Sequence, residues 1–151
     1  MKARKKSRNG LDRKKVIEVL NRIMENELAG VVRYTHYSLM VFGHNRIPIV
    51  NWLREQAKES LDHASQAGEH ITTLEGHPSL KIASLLETHK HSIDDILQES
   101  LEHEEAQLEN FYELLELTEG KAVYLEEYAR QMIAKEEEHV SEVKKMIRRS
   151  R

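Results

Sequence analysis

The sequence predicts an all-α fold, a bundle of four long helices with one long crossover between helices two and three. Three observations support this class. Two prolines and six glycines in 151 residues are too few for the many turns of an all-β chain. Apolar residues recur at helical spacing over four long stretches. The connections between these stretches are short, long and short, which is typical of two helical hairpins joined by a single crossover.

The first helix is predicted from Leu11 to Phe42, with Gly43 ending it. Residues 31–42 are apolar on more than one face, and a helix of that kind is buried on both sides. One face belongs to the core. We interpret the other as a contact with a second subunit, so that the protein is a homo-oligomer built from twofold dimers. The alternative is that the crossover covers this face within one chain.

The second helix is predicted from Pro48 to Leu74, because proline suits the first turn of a helix and Gly76 follows the end of the pattern. Residues 77–91 have a mixed pattern and form the predicted crossover. A connection of this length can run along the whole bundle.

The third helix is predicted from Ser92 to Gly120, since Ser92 and Asp95 have the spacing of a capping box. The fourth helix is predicted from Ala122 to Ile147.

Charge is distributed unevenly along the chain. Both ends are rich in lysine and arginine, whereas the segment between them is acidic. The start is also poor in apolar side chains. We therefore predict a flexible basic tail, residues 1–10, followed by one bundle domain, residues 11–151.

Composition excludes several classes of protein. The chain has no cysteine, which excludes disulfide scaffolds, thiolate zinc sites and cysteine nucleophiles. No apolar run approaches the roughly 18 residues that span a bilayer. The basic start is not followed by the apolar core of a signal peptide. We expect a cytoplasmic protein with no membrane partner.

Polar residues occupy positions that helical spacing reserves for the core. All of them lie near the midpoints of the four predicted helices, so their side chains are expected to meet in one layer of the bundle. Buried carboxylates need a partner, and no lysine or arginine lies on these faces. A bound cation is the natural partner. Carboxylates and imidazoles without sulfur suit iron or manganese, and zinc less selectively. The candidate ligands are Glu27, His63, Glu104, Glu136 and His139.

Each candidate has an alternative interpretation when it is taken alone. The spacing of Glu136 and His139 is expected about once by chance in a chain so rich in glutamate. His63 by itself is more often a satisfied core histidine than a ligand, and Glu27 by itself can form an ion pair along its helix. The convergence of all five at one level favours a metal site.

Several motifs resemble bacterioferritin over about residues 16–147. They are Asn26-Glu27-Leu28 with Tyr34 seven positions after the glutamate, His63-Ala64 with Leu74-Glu75-Gly76 and Pro78, residues 93–97 ahead of Glu104, and residues 136–139. The resemblance implies a ferritin-like bundle and a di-iron centre with Tyr34 nearby. By the same resemblance the ligands are Glu27, His63, Glu104, Glu136 and His139. In that family ferrous iron is oxidised by oxygen or peroxide and stored as a mineral.

The chain departs from the family pattern at three places. Ser60 stands where the family has a bridging glutamate, and Glu59 is a flanking candidate ligand one position earlier. Leu61 stands where bacterioferritin has its haem-binding methionine, so haem is not expected. Few residues follow His139, so no fifth helix is expected, and the size of the assembly stays open between a dimer, a 12-mer and a 24-mer.

Three functions are therefore considered. The first is a ferroxidase that stores or detoxifies iron. The second is a protector resembling the Dps-type mini-ferritins, which binds DNA through its basic ends, although a solubilising tail is an alternative for those residues. The third is a ferritin-like bundle with a degenerate, weakly active metal site.

Overall fold

A computed structural model describes residues 10–148 of the chain. Over these residues it contains four α-helices and no strand, as predicted. The helices are α1 (Arg13–Met40), α2 (Arg46–Thr73), α3 (Ile93–Thr118) and α4 (Val123–Ile147). Helix α1 packs against α2 and α3, and α3 packs against α4. None of the described helices combines the length and the hydropathy needed to cross a membrane. Residues 1–9 of the predicted basic tail and residues 149–151 of the basic C-terminal end lie outside the described residues.

The connection between α1 and α2 lies two residues earlier in the chain than the sequence predicted. Helix α1 ends at Met40 rather than Phe42, because the Arg46 guanidinium donates to the carbonyls of Ser38 (3.3 Å) and Val41 (2.7 Å). These carbonyls have no partner within the helix, and a cation at the C-terminal end suits them. Helix α2 therefore begins at Arg46, and Pro48 lies in its first turn, where a missing N–H costs nothing.

The start of α3 has the predicted cap. The Ser92 hydroxyl accepts a hydrogen bond from the Asp95 amide (3.1 Å) and donates to the Asp95 carboxylate (2.7 Å). Asp12 caps α1 in a similar way, its carboxylate accepting from the amide of Lys15 (3.2 Å). Such caps satisfy amides that have no partner inside a helix.

The crossover runs along α1. Its backbone is held by Asn21, which accepts from the Ser79 amide (2.8 Å) and donates to the His77 carbonyl (3.2 Å). Farther along, the Ala83 amide donates to the Glu25 carbonyl (3.0 Å). The crossover thus follows α1 from its first half toward its second.

The apolar core is divided into two ends by a polar layer. One end is a large cluster that includes Leu20, Ile71, Phe111 and Met132. The other end has two smaller clusters, one around Tyr34 and one around Val143. Each helix carries buried or nearly buried polar residues between these clusters, so the fold holds polar side chains at mid-height of the bundle.

Candidate metal centre

The polar layer takes its side chains from all four helices. Glu27 on α1, Glu104 on α3 and Glu136 on α4 are each at most 6% exposed. His63 on α2 and His139 on α4 are nearly as enclosed, with side chains 13% and 17% exposed. The structure thus brings the five candidate ligands together, and ionised groups at this depth need partners of opposite charge.

Three of the five form a compact group. The Nδ1 atom of His63 lies 3.6 Å from Oε1 of Glu27 and 3.9 Å from Oε1 of Glu136. One ligating atom from each residue lies within 4.8 Å of the others. An ion bound at roughly 2.0–2.2 Å holds its ligand atoms about 3–4 Å apart. This spacing fits one divalent cation between α1, α2 and α4.

The remaining two candidates, Glu104 and His139, lie close to each other, and Glu104 lies next to Glu136. Nε2 of His139 is 3.8 Å from Oε1 of Glu104, beyond hydrogen-bond distance. The Tyr34 hydroxyl donates to that same Glu104 oxygen. The carboxyl groups of Glu104 and Glu136 are close enough to share a hydrogen bond. Two carboxyls, an imidazole and a phenol therefore surround a second position.

Two buried atoms in this layer have no hydrogen-bond partner among the described residues. They are Oε2 of Glu136 and Nε2 of His139. A buried polar atom without a partner costs about 1–3 kcal/mol. Both are good ligand atoms for a transition metal, so a bound cation would satisfy them. The residues present fit a metal centre of carboxylates and imidazoles.

Burial governs the charge of the layer. It raises the pKa of Glu27, although the nearby His63 opposes the shift. Burial and the neighbouring Glu104 also raise the pKa of Glu136. Burial would raise the pKa of Glu104 too, but its hydrogen bond with Glu136 lowers it overall. Glu104 and Glu136 therefore share one proton when no cation is present, as two close carboxyls do.

Gln107 orients Glu27, the candidate ligand on α1. Its Nε2 donates to Oε1 of Glu27 (2.9 Å) and to the Ile23 carbonyl (3.0 Å). Its Oε1 accepts from the side-chain amides of Asn26 (3.1 Å) and Asn110 (3.0 Å). These hydrogen bonds determine that the amide nitrogen of Gln107, and not its oxygen, faces Glu27. Gln107 was not among the predicted site residues, although it lies one turn after Glu104 on the core side of α3.

Trp52 and His103 enclose the layer, and neither was identified as part of the site. The indole of Trp52 stacks on His139 with ring centres 6.0 Å apart. His103 is buried against the edge of Tyr34, and burial lowers its pKa, which keeps the imidazole neutral. Stacking and edge contacts of this kind fix the orientation of a ring.

Ser60 on α2 is buried beside α1. A Cβ atom on Gly30 would lie 2.9 Å from both the Ser60 hydroxyl and Nε2 of His103. The absence of a side chain at Gly30 therefore lets α1, α2 and α3 approach closely. Ser60 brings no negative charge to the layer.

Glu59 lies at the opening of the layer instead of inside it. The residue is exposed and does not join the three-residue ligand group. It lines a cavity of about 520 Å³ between α2 and α4 that reaches His63, Glu136 and His139. Other acidic residues line the same cavity, and Lys135 is the one lysine or arginine among the lining residues. The acidic members are Glu59, Asp62, Glu136, Glu138 and Glu142. Negative walls raise the local concentration of cations.

The sequence and the fold of this chain are similar to those of known proteins. The family model described as a ferritin-like domain matches residues 17–151. A solved structure of a ferritin-like, diiron-carboxylate protein from Bacillus anthracis has a TM-score of 0.85 at 22% identity, covering 91% of this chain and 98% of that one. A dodecameric thioferritin from Bacteroides fragilis, described as bacterioferritin-related, has a TM-score of 0.80 at 25% identity, covering 89% of this chain and 85% of that one. No curated protein matches the sequence.

The family match extends over nearly the whole chain, and both solved structures share its four-helix arrangement. The chain therefore belongs to the ferritin-like family.

Proposed function

We propose that this protein binds Fe²⁺ in the polar layer and oxidises it, so that iron is stored or detoxified. One observation carries the proposal: three buried carboxyls and two imidazoles converge at one level, with two ligand atoms left without hydrogen-bond partners. The glutamates supply negative charge, and the histidines restrict the geometry. The acidic cavity between α2 and α4 gives cations a route to the layer.

The ligand set favours oxidation of the substrate iron. Hard carboxylate oxygens stabilise the smaller and more highly charged Fe³⁺ relative to Fe²⁺. Two Fe²⁺ ions each lose one electron, and O₂ takes up the two electrons and two protons to give hydrogen peroxide. Peroxide can serve as the oxidant in its place. The proton shared by Glu104 and Glu136 leaves as cations bind, because a carboxylate must be deprotonated to act as a ligand.

The two positions of the centre are unequal. The first has three ligands in reach, Glu27, His63 and Glu136, whereas the second has Glu104 and His139. Ser60 provides no bridging carboxylate between them. We therefore expect a titration of the metal-free protein with Fe²⁺ under anaerobic conditions to show one tight and one weaker binding step. Two steps of equal affinity would contradict this inequality.

Aerobic addition of Fe²⁺ tests the proposed reaction. We expect a yellow-brown absorbance from Fe³⁺ that develops faster with the protein than in buffer, with consumption of oxygen. The Glu27→Ala variant is expected to lose this acceleration, since it removes a ligand of the first position. The matched control is Glu25→Ala on the same helix. Metal analysis showing bound zinc, with no accelerated oxidation of iron, would favour a bundle with a degenerate site.

We also propose that the protein is a homo-oligomer built from twofold dimers. Val32 and Leu39 on α1 are 48% and 58% exposed, although the crossover covers other parts of that helix. Val32 lines one surface cavity together with Leu85 and Leu86 of the crossover. Exposed apolar patches of this kind mark contact surfaces. The Bacteroides fragilis neighbour is described as dodecameric, which is consistent with assembly.

Sedimentation of a surface variant tests the dimer. Leu86 is 79% exposed, so Leu86→Glu leaves the fold intact and places a charge in the proposed contact. We expect wild-type protein to sediment as a dimer or larger assembly and the Leu86→Glu variant as a species of lower mass. Val123 on α4 is equally exposed, and Val123→Glu is expected to keep the dimer. Wild-type protein that sediments only as a monomer would contradict the proposal.

The DNA-binding alternative depends on the basic residues 2–8, which lie outside the described residues. Comparing the full chain with a chain lacking residues 2–8 tests it. Retardation of DNA that weakens with salt and requires this segment would support a protector function.

A further inference from the structure

A second group of metal-ligating side chains lies outside the bundle centre. It combines His36 on α1 with Glu87 and His91 on the crossover. Nε2 of His36 is 3.2 Å from Oε2 of Glu87, and Nε2 of His91 is 3.6 Å from Oε1 of Glu87. One ligating atom from each of the three residues lies within 4.8 Å of the others. None of these residues belongs to the polar layer.

The backbone of the crossover holds the carboxylate in place. The amide of His89 donates to Oε1 of Glu87 (2.7 Å), and His89 has a left-handed φ of 56°. This backbone conformation is uncommon for residues other than glycine. At His89 it turns the backbone amide toward Glu87. The hydrogen bond lowers the pKa of Glu87, so its carboxylate is ionised at neutral pH.

A second anchor lies beside it on α3. The Thr88 hydroxyl donates to Glu99, which also accepts from the Tyr37 hydroxyl (2.6 Å). Nη1 of Arg33 donates to the same tyrosine oxygen (2.9 Å). The Thr88 hydroxyl thus ties the segment that carries Glu87 and His91 to α3, and Tyr37 links α3 to α1 at the same carboxylate.

The spacing and chemistry of the group match a zinc-type site. A tetrahedral ion with ligands at roughly 2.0–2.2 Å separates them by about 3.4 Å. The two imidazole nitrogens lie 3.2 and 3.6 Å from the carboxylate of Glu87, one at each oxygen, so the carboxylate faces both histidines. Two imidazoles and one carboxylate are a common protein ligand set for zinc, with the fourth position open. A cavity of about 220 Å³ adjoins the group and leaves room for water at that position.

We propose that His36, Glu87 and His91 bind a divalent cation of the zinc class that fastens the crossover to α1. Two ligands come from the crossover and one from the helix, so a bound ion joins segments that are otherwise held by a few hydrogen bonds. An ion that binds the folded protein but not the unfolded chain would stabilise this arrangement. The proposal does not depend on iron oxidation at the bundle centre.

Counting bound zinc tests the site. In equilibrium dialysis of the metal-free full chain against Zn²⁺, we expect wild-type protein to bind one ion per chain more than His36→Ala or His91→Ala. The control is His44→Ala, because His44 is an exposed histidine in the connection between α1 and α2. This variant is expected to bind as much zinc as wild type. Equal zinc stoichiometry in wild type and both cluster variants would overturn the site.

Limited proteolysis tests the fastening. Lys81 and Lys90 are exposed trypsin sites on the crossover. We expect Zn²⁺ to slow cleavage there about tenfold in wild type and to have no effect in His91→Ala. Unchanged cleavage of wild type under saturating zinc would overturn this role. The His36→Ala and His91→Ala variants should both still accelerate Fe²⁺ oxidation. This activity would show that they are folded and that the loss of zinc binding is independent of the proposed iron centre.

Discussion

The Glu136→Gln variant is expected to lose tight metal binding at the bundle centre while its metal-free form becomes more stable than wild type. Glutamine preserves the shape of the side chain and can still donate a hydrogen bond to Glu104. It removes the carboxylate that lies beside both proposed metal positions. We expect affinity for the first cation to fall about 100-fold or more, because the amide oxygen carries no charge.

The gain in stability follows from the raised pKa of Glu136. In the unfolded chain this carboxyl ionises near its usual pKa of 4.5, whereas burial and the neighbouring Glu104 keep it protonated in the fold. A carboxyl whose pKa is higher in the folded protein than in the unfolded chain stabilises the fold at pH values below the unfolded-state pKa. This stabilisation is lost as the pH rises toward the folded-state pKa. The metal-free wild type should therefore weaken between about pH 5 and pH 8. Replacing the carboxyl removes that cost, about 1–3 kcal/mol at pH 8.

Urea unfolding in the presence of a chelator, at pH 5 and pH 8, measures this difference. The free energies of unfolding of the two proteins should be similar at pH 5 and diverge at pH 8, with the variant higher. The matched control is Glu137→Gln, an exposed neighbour on the same helix, which should behave as wild type at both values. A variant less stable than wild type at pH 8 would show that the buried carboxyl does not carry this cost.

The bundle and its polar layer could be predicted because both depend on periodicity along single helices. Apolar spacing fixes the face that each helix buries, and level helix midpoints bring Glu27, Glu104 and Glu136 to one height. The structure buries all three. Their binding of metal stays a prediction. Helix ends were less predictable, because the end of α1 depends on a side chain of the next helix, Arg46.

Contacts between helices were not predictable from one sequence. Nothing in the pattern of α3 shows that Gln107 reaches Glu27, since this depends on the relative heights of α1 and α3. The group of His36, Glu87 and His91 was still harder to predict from the sequence. Two of its members lie in a segment without helical periodicity, and their position is set by the register of the crossover along α1.

The Gln107→Leu variant is expected to slow Fe²⁺ oxidation about 10- to 100-fold while keeping the bundle folded. Gln107 is a positioning residue, because it donates to Glu27 without reaching the proposed ion itself. Leucine has a similar volume, so the packing of this fully enclosed position is preserved. Without the amide, Oε1 of Glu27 loses a donor that fixes its direction. Removing such a partner of a metal ligand typically costs this factor in affinity or activity.

The affinity of the metal-free variant for Fe²⁺ separates positioning from a general loss of structure. We expect the tight binding step to weaken and the helical content measured by circular dichroism to stay unchanged. The second, weaker step should be little affected, because the hydrogen bonds of Gln107 do not reach Glu104 or His139. Gln131→Leu on the exposed face of α4 is the matched control and should oxidise iron as wild type does. If Gln107→Leu binds and oxidises iron at the wild-type rate, the packing of the layer alone is sufficient to orient Glu27.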